Sequence, residues 1–147
     1  MDYRNSKLIE ILMVEDNPAD ARLTKEAFKD AKVLNNMHVV PDGEEAMMFL
    51  KKAGKYNESP RPDLILLDLN LPKKDGREVL SEIKMDQDLK RIPVVILTTS
   101  EDDKDIFTAY DLHANAYVKK PVDLDQFMKI VEAVEDFWLS VVRLPSR

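Results

Sequence analysis

Short apolar runs alternate along the chain with longer amphipathic segments. The apolar runs cover residues 8–14, 37–40, 64–67, 94–97 and 116–118, and each is short enough to form a strand. The runs at 64–67 and 94–97 are apolar at every position, which is typical of strands that are covered on both faces. The pattern therefore predicts five strands of a parallel sheet.

Capping residues mark the starts of the segments between these strands. Asn17 precedes Pro18, which favours a helix that begins with proline at its first position. Asp42, Asp75 and Asp123 each precede a Glu or Gln by three residues, which is the capping-box pattern. Alternating strands and helices predict an α/β fold with right-handed crossovers. The helices are expected at roughly residues 18–32, 42–53, 75–86, 101–112 and 123–142.

Length and composition predict a single domain, and we expect the protein to be located in the cytoplasm. The chain has 147 residues, and we expect a domain over residues 7–142 between polar tails at 1–6 and 143–147, with no output domain after it. The net charge of −6 argues against nucleic-acid binding, which needs a basic face. No signal peptide or membrane span is recognisable, and the absence of cysteine excludes disulfides and thiolate sites. The polar segment 51–63 is either a mobile surface loop or a binding loop.

Polar side chains follow four of the predicted strands. Glu15 and Asp16 come after the first strand, Asp68 after the third, Thr98 after the fourth and Lys120 after the fifth. In an open parallel sheet, ligands bind beyond the carboxyl ends of the strands. If these four strands are neighbours, three carboxylates, a hydroxyl and an ammonium group converge on one crevice.

Three neighbouring carboxylates favour a bound hard cation. Two unit charges about 4 Å apart repel by roughly 4 kcal/mol at an effective dielectric constant near 20, and Mg²⁺ removes that repulsion. Zinc prefers His or Cys, and the two histidines of the chain are distant from this cluster in sequence. We expect Asp16, Asp68 and the Asn70 backbone carbonyl to bind Mg²⁺ directly, and Glu15 to bind through a water molecule.

Asp68 is the best candidate nucleophile of the three acids. It is the first polar residue after a fully apolar strand, and a carboxylate can attack phosphorus to give an acyl phosphate. Mg²⁺ would then contact one phosphoryl oxygen, Lys120 a second, and the Thr98 hydroxyl or a nearby backbone N–H the third. Each residue alone has an ordinary interpretation as a helix cap, a turn residue or a solvated lysine, and only their joint occurrence favours a site.

The chain resembles the response-regulator receiver domain, of which the chemotaxis protein CheY is a familiar member. The resemblance covers about residues 7–142 and rests on motifs at 14–16, 66–72 with Gly76, 95–98 and 116–121. It implies a flavodoxin-like, doubly wound (βα)5 parallel sheet in the order 2-1-3-4-5. It also implies that Asp68 is the phosphoacceptor, Lys120 the phosphoryl-contacting lysine, and Thr98 and Tyr117 the switch residues. Glu15 departs from the family pattern, in which Asp is commoner.

A closer likeness is to the single-domain regulators that work with cyanobacterial and bacterial phytochromes. It rests on the motifs at residues 57–63 and 72–80 and on the tail residues 137–139 and 144–145. The likeness implies a two-component phosphorelay in which a sensor histidine kinase of the phytochrome type supplies the phosphoryl group. The protein would be no enzyme beyond its own phosphoryl acceptance and slow autodephosphorylation.

The last predicted helix carries more apolar surface than a core contact needs. Its apolar positions cover about half of the helix, whereas a core-facing stripe covers about 100°. We therefore expect a homodimer through Ile130, Phe137 and Leu144, although a larger core contact or a surface for an unidentified downstream protein would give the same pattern.

Two other functions remain open from the residues alone. A metal-dependent phosphatase would use an aspartyl phosphate, but its general acid is expected two residues after the nucleophile, where this chain has Asn70. A binding module that works without phosphorylation would have no need of the acidic set, Thr98 and Lys120.

Overall fold

The computed structural model describes residues 8–30, 35–98 and 116–119. Its strands are β1 (Ile9–Val14), β2 (Asn35–Val40), β3 (Leu64–Leu67), β4 (Val94–Thr98) and β5 (Ala116–Lys119). The helices in the described ranges are α1 (Pro18–Asp30), α2 (Gly43–Lys51) and α3 (Gly76–Met85), with short 3-10 helices at Gly54–Tyr56 and Leu89–Arg91. Within these ranges, every helix is too short or too polar to cross a membrane.

The first four strands form a parallel sheet in the order β2-β1-β3-β4, as predicted. The backbone of β5 pairs with β4 in the same direction at the sheet edge. The predicted helices at 101–112 and 123–142 lie outside the described residues. The order puts β1 and β3 side by side in the centre, so the segments after these two strands emerge next to each other.

The core lies on both faces of the sheet because side chains alternate along each strand. Leu12 and Val14 of β1 pack with α2 and α3, whereas Ile11 and Met13 pack with α1. All four residues of β3 are buried, which confirms the prediction from its unbroken apolar run. The central strands are therefore fixed on both sides, and their ends rigidly support the loops attached to them.

The described α-helices begin with side-chain caps at the carboxyl edge of the sheet. The side-chain oxygens of Asn17, Asp42 and Asp75 accept backbone N–H bonds of 2.7–2.9 Å in the first turns of α1, α2 and α3. The predicted caps are therefore confirmed at these three helices.

The segment 51–63 is tied to the rest of the domain at several points. Tyr56 donates a hydrogen bond of 2.5 Å to Glu45, and Lys55 forms an ion pair with the same carboxylate. These contacts, first with Lys55 and then with Tyr56, hold the pKa of Glu45 below its ordinary value. The buried Ser59 hydroxyl donates to the Phe49 carbonyl at 2.7 Å. Side-chain contacts therefore hold this segment against α2.

Candidate metal centre

Three carboxylates meet where β1 and β3 end. Glu15 and Asp16 follow β1 directly, and Asp68 follows β3. The Asp68 backbone amide donates to the carbonyl of Val14 at 3.2 Å, which continues the pairing of the two strands to the site. One oxygen from each of the three carboxylates lies within 4.8 Å of the others. The register of two central strands therefore brings the acids together.

Backbone amides hold two of these carboxylates in place. Asp68 is only 6% exposed, and one of its oxygens accepts the Asn70 amide at 2.9 Å. Glu15 is 3% exposed and accepts the Asn17 amide at 3.2 Å. Asp16 is exposed at the rim. The site thus combines two oriented, buried carboxylates with one that is open to solvent.

The donor set of this cluster fits a hard divalent cation. All three side chains offer oxygen, and three negative charges within 4.8 Å repel one another unless a cation lies between them. Mg²⁺ and Mn²⁺ prefer such oxygen ligands, whereas zinc prefers nitrogen or sulfur. The division into direct ligands (Asp16, Asp68 and the Asn70 carbonyl) and a water-mediated one (Glu15) stays a prediction.

The loop between Asp68 and α3 is tightly packed. The Gly76 amide donates to the Leu69 carbonyl at 3.1 Å, and a Cβ atom at residue 76 would collide with the backbone carbonyl of Asp68. Leu69 and Leu71 are buried in the core formed with α2 and α3. Only glycine therefore lets the start of α3 approach the candidate nucleophile so closely.

A cleft of about 420 Å³ opens beside Glu15 and Asp16, between α1 and β2. Its wall combines basic and apolar residues that the sequence pattern alone does not single out. The only sequence signal for this cleft is the spacing of its lining residues on α1, because residues three or four apart share one face of a helix. The lining beyond the two acids is Pro18, Ala21, Arg22, Lys25, Val39 and Pro41.

Several predicted residues fall outside the described part of the chain. Lys120 lies outside it, and so do the predicted dimer residues Ile130, Phe137 and Leu144. The backbones of Thr98 and Tyr117 belong to β4 and β5, but their side chains are not described. Their predicted roles therefore stay predictions.

Comparison with known proteins assigns the family. The model of the response regulator receiver domain matches residues 11–132. Among curated proteins, the chain is 53% identical over 136 residues to the response regulator Rcp1 of Synechocystis, with 92% of both chains covered.

Solved structures agree with this assignment. The phosphorylated cyanobacterial phytochrome response regulator RcpA is 55% identical and matches with a TM-score of 0.81 over 92% of this chain and 96% of its own. The Mn²⁺-bound form of Rcp1 is 53% identical and matches with a TM-score of 0.79 over 89% of this chain and 94% of its own. A similar protein thus binds a divalent cation, which is consistent with the acidic cluster at the ends of β1 and β3.

Proposed function

The chain belongs to the response regulator receiver domain family, and from this we propose that it is a response regulator of phytochrome-linked two-component signalling that accepts a phosphoryl group on Asp68. The observation that carries the proposal is the Asp68 carboxylate, which is 6% exposed and has an oxygen within 4.8 Å of oxygens of Glu15 and Asp16. The phosphodonor would be a phosphohistidine of a sensor histidine kinase.

The proposed transfer replaces one bond to phosphorus by another. An Asp68 oxygen forms a bond to phosphorus while the bond from phosphorus to the donor imidazole nitrogen breaks, and the imidazole takes up a proton from water. The Asn70 amide, 2.9 Å from Asp68, keeps the carboxylate oriented for attack. Thr98 and Lys120 would contact the phosphoryl oxygens.

We propose Mg²⁺ as the cation of the site. Asp16, Asp68 and the Asn70 carbonyl would bind it directly, and Glu15 would hold one of its water molecules. A bound Mg²⁺ supplies positive charge that offsets both the carboxylates and the incoming phosphoryl group. The oxygen-only donor set supports this choice of ion.

Phosphorylation would be signalled by a conformational change of the domain. Phosphorylation adds negative charge and acceptor oxygens beside Asp68, and Thr98 would move toward them while Tyr117 turns inward. The proposed readout is a homodimer through Ile130, Phe137 and Leu144 or binding of a downstream protein. This requires the complete (βα)5 domain over residues 7–142, with its fourth and fifth helices, and the protein would catalyse only its own phosphorylation and slow dephosphorylation.

An intact-mass measurement tests the proposal. The protein is incubated with acetyl phosphate and Mg²⁺, or with a phosphorylated phytochrome-type kinase, and one added phosphoryl group is expected. Asp68→Asn should abolish the adduct and EDTA should suppress it. Asp75→Asn is the matched control, because asparagine can still cap α3 and the adduct should persist.

Each of the other functions gives a different outcome. Release of many phosphate equivalents without a stable adduct would indicate a phosphatase. No adduct from either donor, with the folded protein intact, would contradict phosphoryl acceptance and favour a binding module.

A further inference from the structure

Lys73, in the loop after Asp68, has a backbone conformation that lysine disfavours. Its φ angle is 62°, in the left-handed region. Lys52 also has a positive φ, of 56°, but it terminates α2, and its amide bonds to the carbonyls of Met48 and Phe49 explain that conformation. Lys73 ends no helix. A lysine held where glycine or asparagine would be unstrained points to a role for its side chain.

The side chain of Lys73 reaches across to the start of α2. Its ammonium nitrogen lies 3.7 Å from an oxygen of Asp42, whose residue is 4% exposed. The other Asp42 oxygen caps α2 by accepting the Glu45 amide at 2.9 Å. The Asp42–Lys73 pair therefore supplies a counter-charge to a carboxylate that is nearly buried, where an unpaired charge is costly.

The backbone of α2 also packs directly on this loop. A Cβ atom at Gly43 would collide with the carbonyl oxygen of Lys74. On its other side, the same loop packs against Gly76 at the start of α3. The loop that carries Asp68 is thus held between the starts of two helices, and the Asp42–Lys73 pair adds an ionic contact between this loop and α2.

We propose that the Asp42–Lys73 pair positions the Asp68 loop, and thereby sets the affinity of the acidic cluster for its divalent cation. This inference rests on the proposed function, because it assumes that the cluster binds a cation. Without the pair, the loop samples more conformations, and ordering it on binding costs conformational entropy. Asp42 and Lys73 are therefore positioning residues that act through the loop without touching the cation.

Calorimetric titration with Mg²⁺ tests the inference. Lys73→Met removes the ammonium, and Asp42→Asn removes the charge while keeping the cap; each should raise the Kd about two- to fivefold, the range expected from losing one partly exposed ion pair. The double variant should be no weaker than either single one, since both remove the same interaction. Lys73→Arg should restore the wild-type Kd. Lys74→Met is the matched control, because Lys74 pairs with Glu82 on α3 instead and the Kd should not change.

Lys73→Gly separates positioning from a purely structural role. Both variants remove the ammonium, but glycine also relieves the backbone strain at the φ of 62°, so the midpoint of denaturation should lie above that of Lys73→Met while Mg²⁺ binding weakens equally in both. A structural role alone would move both quantities in the same direction. Wild-type Mg²⁺ affinity in both Lys73→Met and Lys73→Gly would overturn the inference while leaving the proposed function intact. A wild-type protein that binds no Mg²⁺ would overturn both.

Discussion

Ion pairs occur at both ends of the sheet, but a cluster of acids is found at the carboxyl end. At the carboxyl end, Glu15, Asp16 and Asp68 bring three like charges within 4.8 Å of one another. At the amino end, acidic and basic side chains form ion pairs: Arg61 pairs with Asp88 at 2.7 Å, and Lys51 pairs with Asp86 at 3.8 Å. Opposite charges are paired at the amino end, whereas the clustered carboxylates at the carboxyl end provide oxygen ligands for a cation.

The connections at the two ends also differ. At the amino end, the long segment 51–63 is fastened by side chains, among them Ser59 and Tyr56. At the carboxyl end, the Asp68 loop is fixed by close backbone packing on two glycines. Changes that disturb this backbone packing should therefore weaken ligand binding as well as stability, whereas changes at the amino end should affect stability alone.

The largest expected effect comes from Gly76→Ala. The new methyl group would collide with the Asp68 carbonyl, so we expect a loss of about 1–3 kcal/mol in the free energy of unfolding, together with weaker Mg²⁺ binding. Urea denaturation and Mg²⁺ titration measure the two effects.

Gly54→Ala at the amino end is the control for this change. Gly54 has a φ of 58°, and a Cβ atom there would meet only the terminal carbon of the Met48 side chain, at 2.9 Å. Gly54→Ala should lower the free energy of unfolding by about 1 kcal/mol through backbone strain. The affinity for Mg²⁺ should be unchanged. Equal effects of both alanines on Mg²⁺ binding would contradict the distinction between the two ends.

A smaller effect of opposite sign is expected for Asp68→Asn. Removing one of three like charges should raise the free energy of unfolding in EDTA by about 1 kcal/mol, since Asp16 is exposed and salt screens part of the repulsion. Asn can still accept the Asn70 amide. The gain should shrink in about 1 M salt, where the Debye length is near 3 Å. A loss of stability on this substitution would contradict the repulsion argument.

The smallest expected effect is a pH dependence from Asp86. Amides of Leu89 and then Asp88 hold the pKa of this carboxyl below its ordinary value of 3.8, with a further contribution from Lys51. A lowered folded pKa means that the stabilisation is present above the unfolded pKa and is lost as the pH falls through the folded pKa. Denaturation from about pH 6 down to the acid range should therefore show a steeper loss in wild type than in Asp86→Asn. Parallel curves would exclude the contribution.

Much of this fold follows from local sequence signals. The apolar runs predicted the positions of the described strands, and Asn17, Asp42 and Asp75 predicted where the described α-helices begin. β2 begins at Asn35, two residues earlier than predicted, because backbone pairing with β1 needs no apolar side chain there. α2 ends at Lys51 because Lys52 takes the left-handed conformation, for which glycine is the usual signal.

The candidate site was predictable only in part. The proximity of Glu15, Asp16 and Asp68 depends on which strands are neighbours, and the family resemblance supplied that order. The Asp42–Lys73 pair could not be foreseen, because it joins loops after two different strands through a conformation that lysine rarely adopts. The roles of Thr98, Lys120 and Tyr117 stay predictions.

Anomalous diffraction from a crystal of the protein soaked with Mn²⁺ tests the central claim most directly. The account predicts one strong peak beyond the ends of β1 and β3, bound directly by Asp16, Asp68 and the Asn70 carbonyl, with Glu15 reaching it through a water molecule. No peak at the three carboxylates, or a peak bound elsewhere on the domain, would contradict it.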